Sequence, residues 1–285
     1  MSSERPDLGR QPDAGTRRRG DAARGHKGMF RVKIRLFIYL ALTLSLSGQT
    51  PAQRNADVQE FAARLAKAHR AWGPALNSPN VSLSVREIPA PGAGHAVKYR
   101  VHAIGLPADS EYALLTWPIT QPDPIEASGA VTLDDTGLVI CAGTEGACGT
   151  PEKPNDPVDF VLSPVRGEPF RVALISLDDE SIKAFLKVVP IPNASRDKEC
   201  VLDSVLLMPG GAAVAIEGAG FEPGAEVTME TRSGSEHYTE KAKAGADGKY
   251  FSVILPYRKG EQRGTTNVNL KSAQCSPALS FDWGR

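Results

Sequence analysis

Short runs in which apolar residues recur at alternate positions fill most of the chain after residue 80, and they restrict what it can fold into. The stretches 81–87, 95–105 and 111–117 all have this pattern, which a strand with one buried face requires. Turn-forming residues separate such runs at intervals of about 8–12 residues, a spacing typical of antiparallel sandwiches. The sequence lacks the alternation of strands and helices that a parallel sheet needs. We therefore predict an all-β fold.

The chain also repeats part of itself, which predicts two modules with one fold. The segment 101–112 (VHAIGLPADSEY) parallels 215–227 (AIEGAGFEPGAEV), and 161–168 (VLSPVRGE) parallels 253–261 (VILPYRKGE). A turn signal containing Asp and Gly lies between the two blocks in both halves. The first half carries about twenty more residues before its second block, so we expect an insert there.

These patterns divide the chain into five regions. The second module offers seven short strand-like runs, a number typical of an immunoglobulin-like sandwich. We predict a leader with a signal peptide, a helix with a linker, a first immunoglobulin-like domain with a cysteine-containing insert near 138–160, a polar linker, and a second immunoglobulin-like domain. Their bounds are 1–52, 53–79, 80–189, 190–199 and 200–285.

The N-terminal region has the pattern of a secretory signal peptide. Three basic residues within 31–35 precede an apolar run at 36–46, which small and polar residues follow up to Ala52. The apolar run is shorter than the roughly 20 residues that a membrane span needs, so we predict cleavage after Ala52 and no stable span afterwards. An uncleaved anchor is the alternative, and Met29 is an alternative start. We expect a secreted or periplasmic protein, with association to the cell surface as a further option.

The charge distribution argues against a nucleic-acid partner. The chain has 33 basic and 33 acidic residues, of which ten basic and four acidic ones lie in residues 1–52. From residue 53 onward 23 basic and 29 acidic residues remain, a net charge of −6. Phosphate binding needs clustered Lys and Arg, which this balance does not favour.

Residues 54–72 predict an amphipathic helix. Apolar side chains recur at spacings of three and four residues, and they form one stripe: Val58, Phe61, Leu65, Ala68 and Trp72. A short helix with one apolar face needs a docking surface, because packing supplies most of its stability. We expect it to pack on the first domain; a partner-binding or oligomerisation helix is the alternative.

Four cysteines follow the leader, and export would expose them to an oxidising compartment. Four cysteines allow three pairings, and spacing together with the repeat favours Cys141–Cys148 and Cys200–Cys275. The spacing within the first pair is neither CxxC nor a usual zinc pattern, so we predict structural disulfides rather than a redox or metal site.

The second module resembles a known family. The stretch GAGFEPGAEV (218–227) resembles the strand–turn–strand signature of bacterial immunoglobulin-like modules, including the IPT/TIG type found in cell-surface proteins. The stretch ADGKYFSVILP (246–256) is similar to a hairpin common in secreted bacterial β-sandwich domains. The resemblance covers 200–283 and, more weakly, 80–190. It implies an extracytoplasmic sandwich that serves as a spacer or recognition unit, and it implies no catalytic residues.

We therefore predict a non-enzymatic exported protein that acts as a recognition module or a structural spacer. The insert near 138–160 is the expected binding surface, because it interrupts a repeated scaffold. The alternative is a glycan- or peptide-binding protein that uses Trp117 and Tyr112 as exposed stacking residues. A hydrolase ranks third, because no GxSxG, HExxH or P-loop pattern occurs.

We expect no cofactor and no metal site. The histidines after the leader lack the spacing of a ligand set and are interpreted as solvated surface residues: His69, His95, His102 and His237. The expected partner is a protein or a cell-surface polymer, and the sequence leaves the oligomeric state open. Asn80 and Asn193 begin N-glycosylation acceptor patterns, which matter only in a host that glycosylates.

Overall fold

The computed structural model of the protein describes residues 51–89, 95–119, 121, 124–142, 155–258 and 260–284. Residues 1–50 of the predicted leader, with the alternative start at Met29, lie outside the described part, whereas the predicted cleavage site after Ala52 falls within it, at the start of the helix. The signal peptide, its cleavage and the start stay predictions. The described residues contain one α-helix, α1 (Pro51–Ala71), and these strands: β1 (Ser82–Ile88), β2 (Val97–Ile104), β3 (Tyr112–Pro118), β4 (Ile125–Leu133), β5 (Val139–Cys141), β6 (Asp159–Leu162), β7 (Phe170–Ser176), β8 (Lys183–Val188), β9 (Asn193–Asp197), β10 (Cys200–Leu206), β11 (Val214–Ala219), β12 (Glu226–Ser233), β13 (Glu236–Lys243), β14 (Tyr250–Ile254), β15 (Arg263–Lys271) and β16 (Ala278–Gly284).

The first eight strands form a sandwich of two antiparallel sheets. One sheet has the order β1-β2-β6, and the other has the order β5-β4-β3-β7-β8. Inward-facing side chains of both sheets make one core, whose fully buried members include Val101, Tyr112, Leu114, Val131 and Val172. The alternation seen in the sequence thus separates the core face of each strand from its outer face.

The remaining strands form a second sandwich with its own core. Its sheets have the orders β14-β11-β10-β9 and β13-β12-β15-β16. Side chains with no exposed surface fill the space between them: Leu202, Ile216, Val227, Met229 and Leu270. The prediction of an all-β fold with two tandem antiparallel sandwiches and one helix is confirmed for the described residues.

The two sandwiches share one topology of seven strands. Strands β1, β2, β3, β4, β6, β7 and β8 correspond in chain order and in pairing to β10, β11, β12, β13, β14, β15 and β16. Each sandwich then has one strand of its own. The extra strand of the first is β5, within the predicted insert, and that of the second is β9.

Strand β9 corrects the assignment of residues 190–199 to a linker. Residues 193–197 pair with β10 through a tight turn in which Lys198 has a φ of 53°. The stretch is polar because an edge strand exposes much of its surface, and polarity alone made it resemble a connection between domains. This segment belongs to the second sandwich.

Equivalent glycines hold the two sandwiches to the same backbone path. Gly105 follows β2 with a φ of 82°, and Gly220 follows β11 with a φ of 83°. A Cβ on either residue would collide with a backbone carbonyl oxygen, that of Asn80 or that of Glu199, just before the first strand of the shared topology. The repeated glycine is thus required by a close approach of the backbone as well as by a left-handed conformation.

Substitution at these glycines separates the two requirements. Gly220→Ala should lower the free energy of unfolding by about 3 kcal/mol or more, because it adds a collision to a left-handed φ. The matched control is Gly224→Ala, where φ is 76° but nothing lies within 4 Å of the added Cβ; it should cost only about 1–2 kcal/mol. Urea denaturation measures both values, and equal losses would contradict the role given to the carbonyl contact.

The predicted Cys200–Cys275 disulfide is confirmed. It joins the start of β10 to the turn between β15 and β16, with a sequence separation of 75 and a Cα–Cα distance of 6.2 Å. The bond therefore ties the first shared strand of the second sandwich to the segment leading into its last strand.

Removing this bond should destabilise the second sandwich. In the chain-entropy model, closing a loop of this length contributes about 4–5 kcal/mol. We expect Cys200→Ser/Cys275→Ser to lower the free energy of unfolding by up to that amount, as measured by denaturant titration. In a Cys148→Ser background, which removes the other predicted disulfide, reducing agent should lower the stability of the protein with Cys200 and Cys275 to a similar degree and leave the Cys200→Ser/Cys275→Ser variant unchanged. A further loss in that reduced variant would contradict this assignment.

Candidate functional site

A groove with a volume of about 1200 Å³ lies between the two sandwiches. We call it the inter-sandwich groove. The first sandwich lines it with β6, the loop from β6 to β7, the end of β3 and the start of β4. The second lines it with β9, β10 and β16. Ligand sites occur preferentially at such junctions between folded units.

The first-sandwich wall is apolar at its base and its rim. The core side chains of Phe160, Leu162 and Phe170 reach the base and are buried. At the rim, Ile125, Val161 and Val165 expose 49%, 55% and 58% of their surface. An apolar patch bordering a cavity marks a binding surface more often than scattered exposed side chains do.

The second-sandwich wall is polar. The side-chain nitrogen of Asn193 donates hydrogen bonds to Ser204 Oγ at 2.6 Å and to the Ser280 carbonyl at 3.0 Å. Asp282 lies further along β16, and its Oδ1 accepts a hydrogen bond from Thr265 at 2.6 Å. The two walls therefore offer a ligand different chemistry, apolar contact on one side and hydrogen bonding on the other. Asn193 is buried, so its acceptor pattern is not open to glycosylation in this fold.

Backbone hydrogen bonds fix the loop at the base of the groove. The Gly167 amide donates to the Ile191 carbonyl at 2.8 Å, and the Gly167 carbonyl accepts from the Leu206 amide at 2.8 Å. Within the loop, Glu168 Oε2 accepts from the Val165 amide at 3.2 Å. The loop between β6 and β7 is therefore attached to the second sandwich, which holds the two walls at a fixed separation.

Carboxylates outnumber cations in the lining of the groove. The lining contains three carboxylates, Asp159, Glu168 and Asp282, and one cation, Arg166. Asp159 is already paired, at 2.8 Å from Arg100 and 3.0 Å from Lys98. Burial opposes ionisation of Asp159, but the hydrogen bonds from these two cations outweigh it and lower the pKa of the carboxyl.

Helix α1 lies across the outer faces of both sandwiches next to this junction. Leu65 packs on an apolar cluster on the outer face of the second sandwich, formed by Val205, Leu207, Ala213 and Ala215. Ile119 and Val189 of the first sandwich join the same cluster. The helix was predicted to dock on the first domain; it docks on both.

A polar network joins the helix to both sandwiches beside that cluster. His69 Nε2 lies 2.7 Å from Glu217 Oε1 on β11, and Lys187 Nζ on β8 lies 3.0 Å from the same nitrogen and 3.5 Å from Nδ1. A carboxylate only accepts, so His69 Nε2 donates to Glu217. The Lys187 ammonium lies beside the same imidazole ring. His69 is buried, which corrects its assignment to the solvated surface.

The charges in this network shift one another's ionisation. The hydrogen bond from His69 lowers the pKa of the Glu217 carboxyl against the opposing effect of burial. Burial lowers the pKa of Lys187. Burial, with the neighbouring Glu217 charge, raises the pKa of Asp203 on β10. The network is thus stabilised by its mutual contacts at the cost of removing charges from water.

The proposed stacking residues Trp117 and Tyr112 are not accessible to a ligand. Tyr112 is fully buried in the first core, and its hydroxyl donates to the Pro107 carbonyl at 2.6 Å. Trp117 is 4% exposed on the outer face of the sheet, where Trp72 covers it at a ring distance of 5.0 Å. The Arg171 guanidinium lies over the Trp72 ring, with its Cζ 4.9 Å from the ring centroid. These aromatics attach the end of the helix to the sandwich.

The predicted insert is only partly described. Cys141 at the end of β5 is buried, and Cys148 lies outside the described residues, so their disulfide stays a prediction. The end of the insert leads into β6, where Asp159 and Phe160 line the groove. Within the described ranges, no group of three His, Cys, Asp or Glu side chains could hold a metal ion. The same ranges contain no helix long and apolar enough to cross a membrane.

Sequence reasoning missed the groove, because it forms between modules that were considered separately. One signal was present. In the stretch DFVL, Asp159 and Val161 share the outer face of β6, so an apolar residue occupies a position where alternation predicts a polar one.

No protein-family model matches the chain, and no curated protein matches it. Among solved structures, a tetra-tandem repeat in the extending region of a large adhesion protein matches over 72% of this chain and 49% of that one, at 10% identity and a TM-score of 0.24. The chain thus spans about half the length of that structure. A DUF3823 family protein from Bacteroides ovatus matches over 72% of this chain and 98% of that one, at 10% identity and a TM-score of 0.20.

The helix network should respond to pH. The folded-state pKa of Glu217 is lowered, so the pair stabilises the fold above the ordinary glutamate pKa of about 4.3, and this contribution is lost as pH falls through the lowered value. Because the Glu217 side chain is 39% exposed, solvent screens part of this interaction. At pH 7, Glu217→Gln should therefore reduce the free energy of unfolding by no more than about 1 kcal/mol, and the difference from wild type should shrink below about pH 4.

The matched control is Glu226→Gln, in the exposed Lys241–Glu226 pair with side chains 65% and 67% exposed. It should change stability by less than about 0.5 kcal/mol. Denaturant titrations at several pH values measure both variants. Equal effects at the two sites, or a Glu217 effect that does not vary with pH, would contradict the assignment.

Proposed function

We propose that this protein is an exported, non-enzymatic recognition module that binds a protein or a cell-surface polymer in the inter-sandwich groove. The observation that carries the proposal is that both sandwiches build the groove and the Gly167 backbone bonds hold its walls together. A preformed cavity avoids much of the ordering cost of binding. Its apolar rim and polar far wall supply contact area and orientation, respectively.

Two features support an extracytoplasmic location. The leader has the pattern of a signal peptide. The Cys200–Cys275 disulfide is a structural bond of the kind that persists in oxidising compartments. The periplasm and the cell surface both meet this requirement, and the IPT/TIG-type resemblance of residues 200–283 belongs to the same proposal.

A structural spacer is the second candidate, and the docking of α1 favours it. Leu65 and His69 contact the second sandwich while Trp72 contacts the first, so a single helix restrains the angle between them. A spacer needs this restraint but has no use for an open groove. The two functions therefore differ in whether the groove makes contacts in the cell.

Site-specific photocrosslinking in the producing cell tests the proposal. A p-benzoylphenylalanine at position 161, on the groove rim, should give an adduct with an extracytoplasmic component. The control position is 104, whose isoleucine is 60% exposed on the same sandwich but outside the groove. Adducts at 161 alone support recognition. Equal adducts at both positions contradict it, and an adduct at neither favours the spacer.

A further inference from the structure

We propose that the ligand of the inter-sandwich groove is an extended polypeptide strand that adds to the free edge of β6. The strand is apolar at alternate positions and carries a basic side chain towards the second sandwich. This inference rests on the proposed recognition function and specifies its partner.

The edge of β6 provides the backbone partners. Of the described strands, only β2 pairs with β6, which forms the edge of its three-stranded sheet. All four residues from Asp159 to Leu162 line the groove. Alternate residues of an antiparallel edge strand direct their N–H and C=O groups away from the neighbour they pair with. An extended peptide laid along this edge can pair with those groups and become a fourth strand.

The apolar side chains have the arrangement that such a strand needs. Phe160 and Leu162 face the sandwich interior, and Ile125 and Ala127 of β4 lie on the opposite sheet at the same opening. Side chains on one face of an added strand would enter the space between these two sheets. On the other face they would lie beside Val161, which is 55% exposed. A peptide with apolar residues at every second position would bury this rim.

The charge of the second-sandwich wall indicates which side chain the ligand should carry on its polar face. Of the carboxylates in the lining, Asp159 is paired with Lys98 and Arg100, and Glu168 is buried in the loop between β6 and β7. The exposed member on the second-sandwich wall is Asp282. A Lys or Arg on the peptide face that points to β16 therefore complements this wall, whereas an acidic residue there is disfavoured.

A glycan fits the same groove less well. Sugars are commonly held by exposed aromatic faces, and the aromatic rings at the base of the groove, Phe160 and Phe170, are only 4% and 6% exposed. An unpaired strand edge has no particular complement in a sugar chain. Backbone pairing makes the polypeptide the better match.

Titration calorimetry with synthetic octapeptides tests the proposal on the full chain from residue 53 onward. One peptide alternates Val with Thr and Lys, and a second has the same composition with its valines contiguous. The alternating peptide should bind at least about tenfold more tightly. Val161→Arg should weaken its binding by about tenfold or more, whereas Ile104→Arg, an exposed aliphatic position outside the groove, should change it less than about twofold.

N-methylation of the peptide distinguishes strand addition from apolar contact alone. Methylating one alternate set of peptide nitrogens should abolish binding and methylating the other set should preserve it, because only one set can donate to β6. Retained binding with both methylated peptides, or no preference for the alternating peptide, would overturn the proposal. Binding of a glycan in the groove would also overturn it, and so would a dimer of this chain that dissociates in the Val161→Arg variant. If position 161 gives crosslinks in the cell but the alternating peptide does not bind, the recognition function is supported and only the proposal of a polypeptide strand as the ligand is wrong.

Discussion

The apolar contact beneath α1 is the constraint on which the rest of the arrangement depends. Leu65 covers a cluster on the outer face of the second sandwich, and Trp72 covers Trp117 on the outer face of the first. Outer faces of sandwiches are normally solvated, so two apolar outer faces next to each other require a cover. The helix supplies it, and the angle between the sandwiches and the groove between them follow.

The single strand that each sandwich adds to the shared topology explains why the two differ in their open edges. Strand β9 covers the edge of β10, so the first shared strand of the second sandwich is paired on both sides. In the first sandwich the extra strand is β5, which extends the other sheet instead. The difference therefore lies at β1, which stays an edge strand where β10 is covered, whereas β6 and its counterpart β14 are edge strands in both sandwiches.

The sequence predicted the strands well because each buried face leaves an alternating pattern, and the repeat predicted the shared topology. It did not predict β9, because the polar surface of an edge strand resembles a linker. Alternation did not show that Trp117 and Tyr112 are buried. The pattern separates the two faces of a strand, but it does not tell which face lies in the core or whether another element covers the outer face. The groove and the contacts of His69 depend on residues far apart in the chain, for which a single sequence has no local signal.

The backbone bonds of Gly167 bear on how the molecule unfolds. A loop of the first sandwich bonds at the same residue to a carbonyl before β9 and to an amide of β10, so melting either sandwich exposes unpaired polar groups in the other. Tandem domains joined by a flexible linker lose structure one after the other. Here the loss of either sandwich removes these backbone bonds and the helix contacts from its neighbour, so we expect the unfolding of the two halves to be coupled.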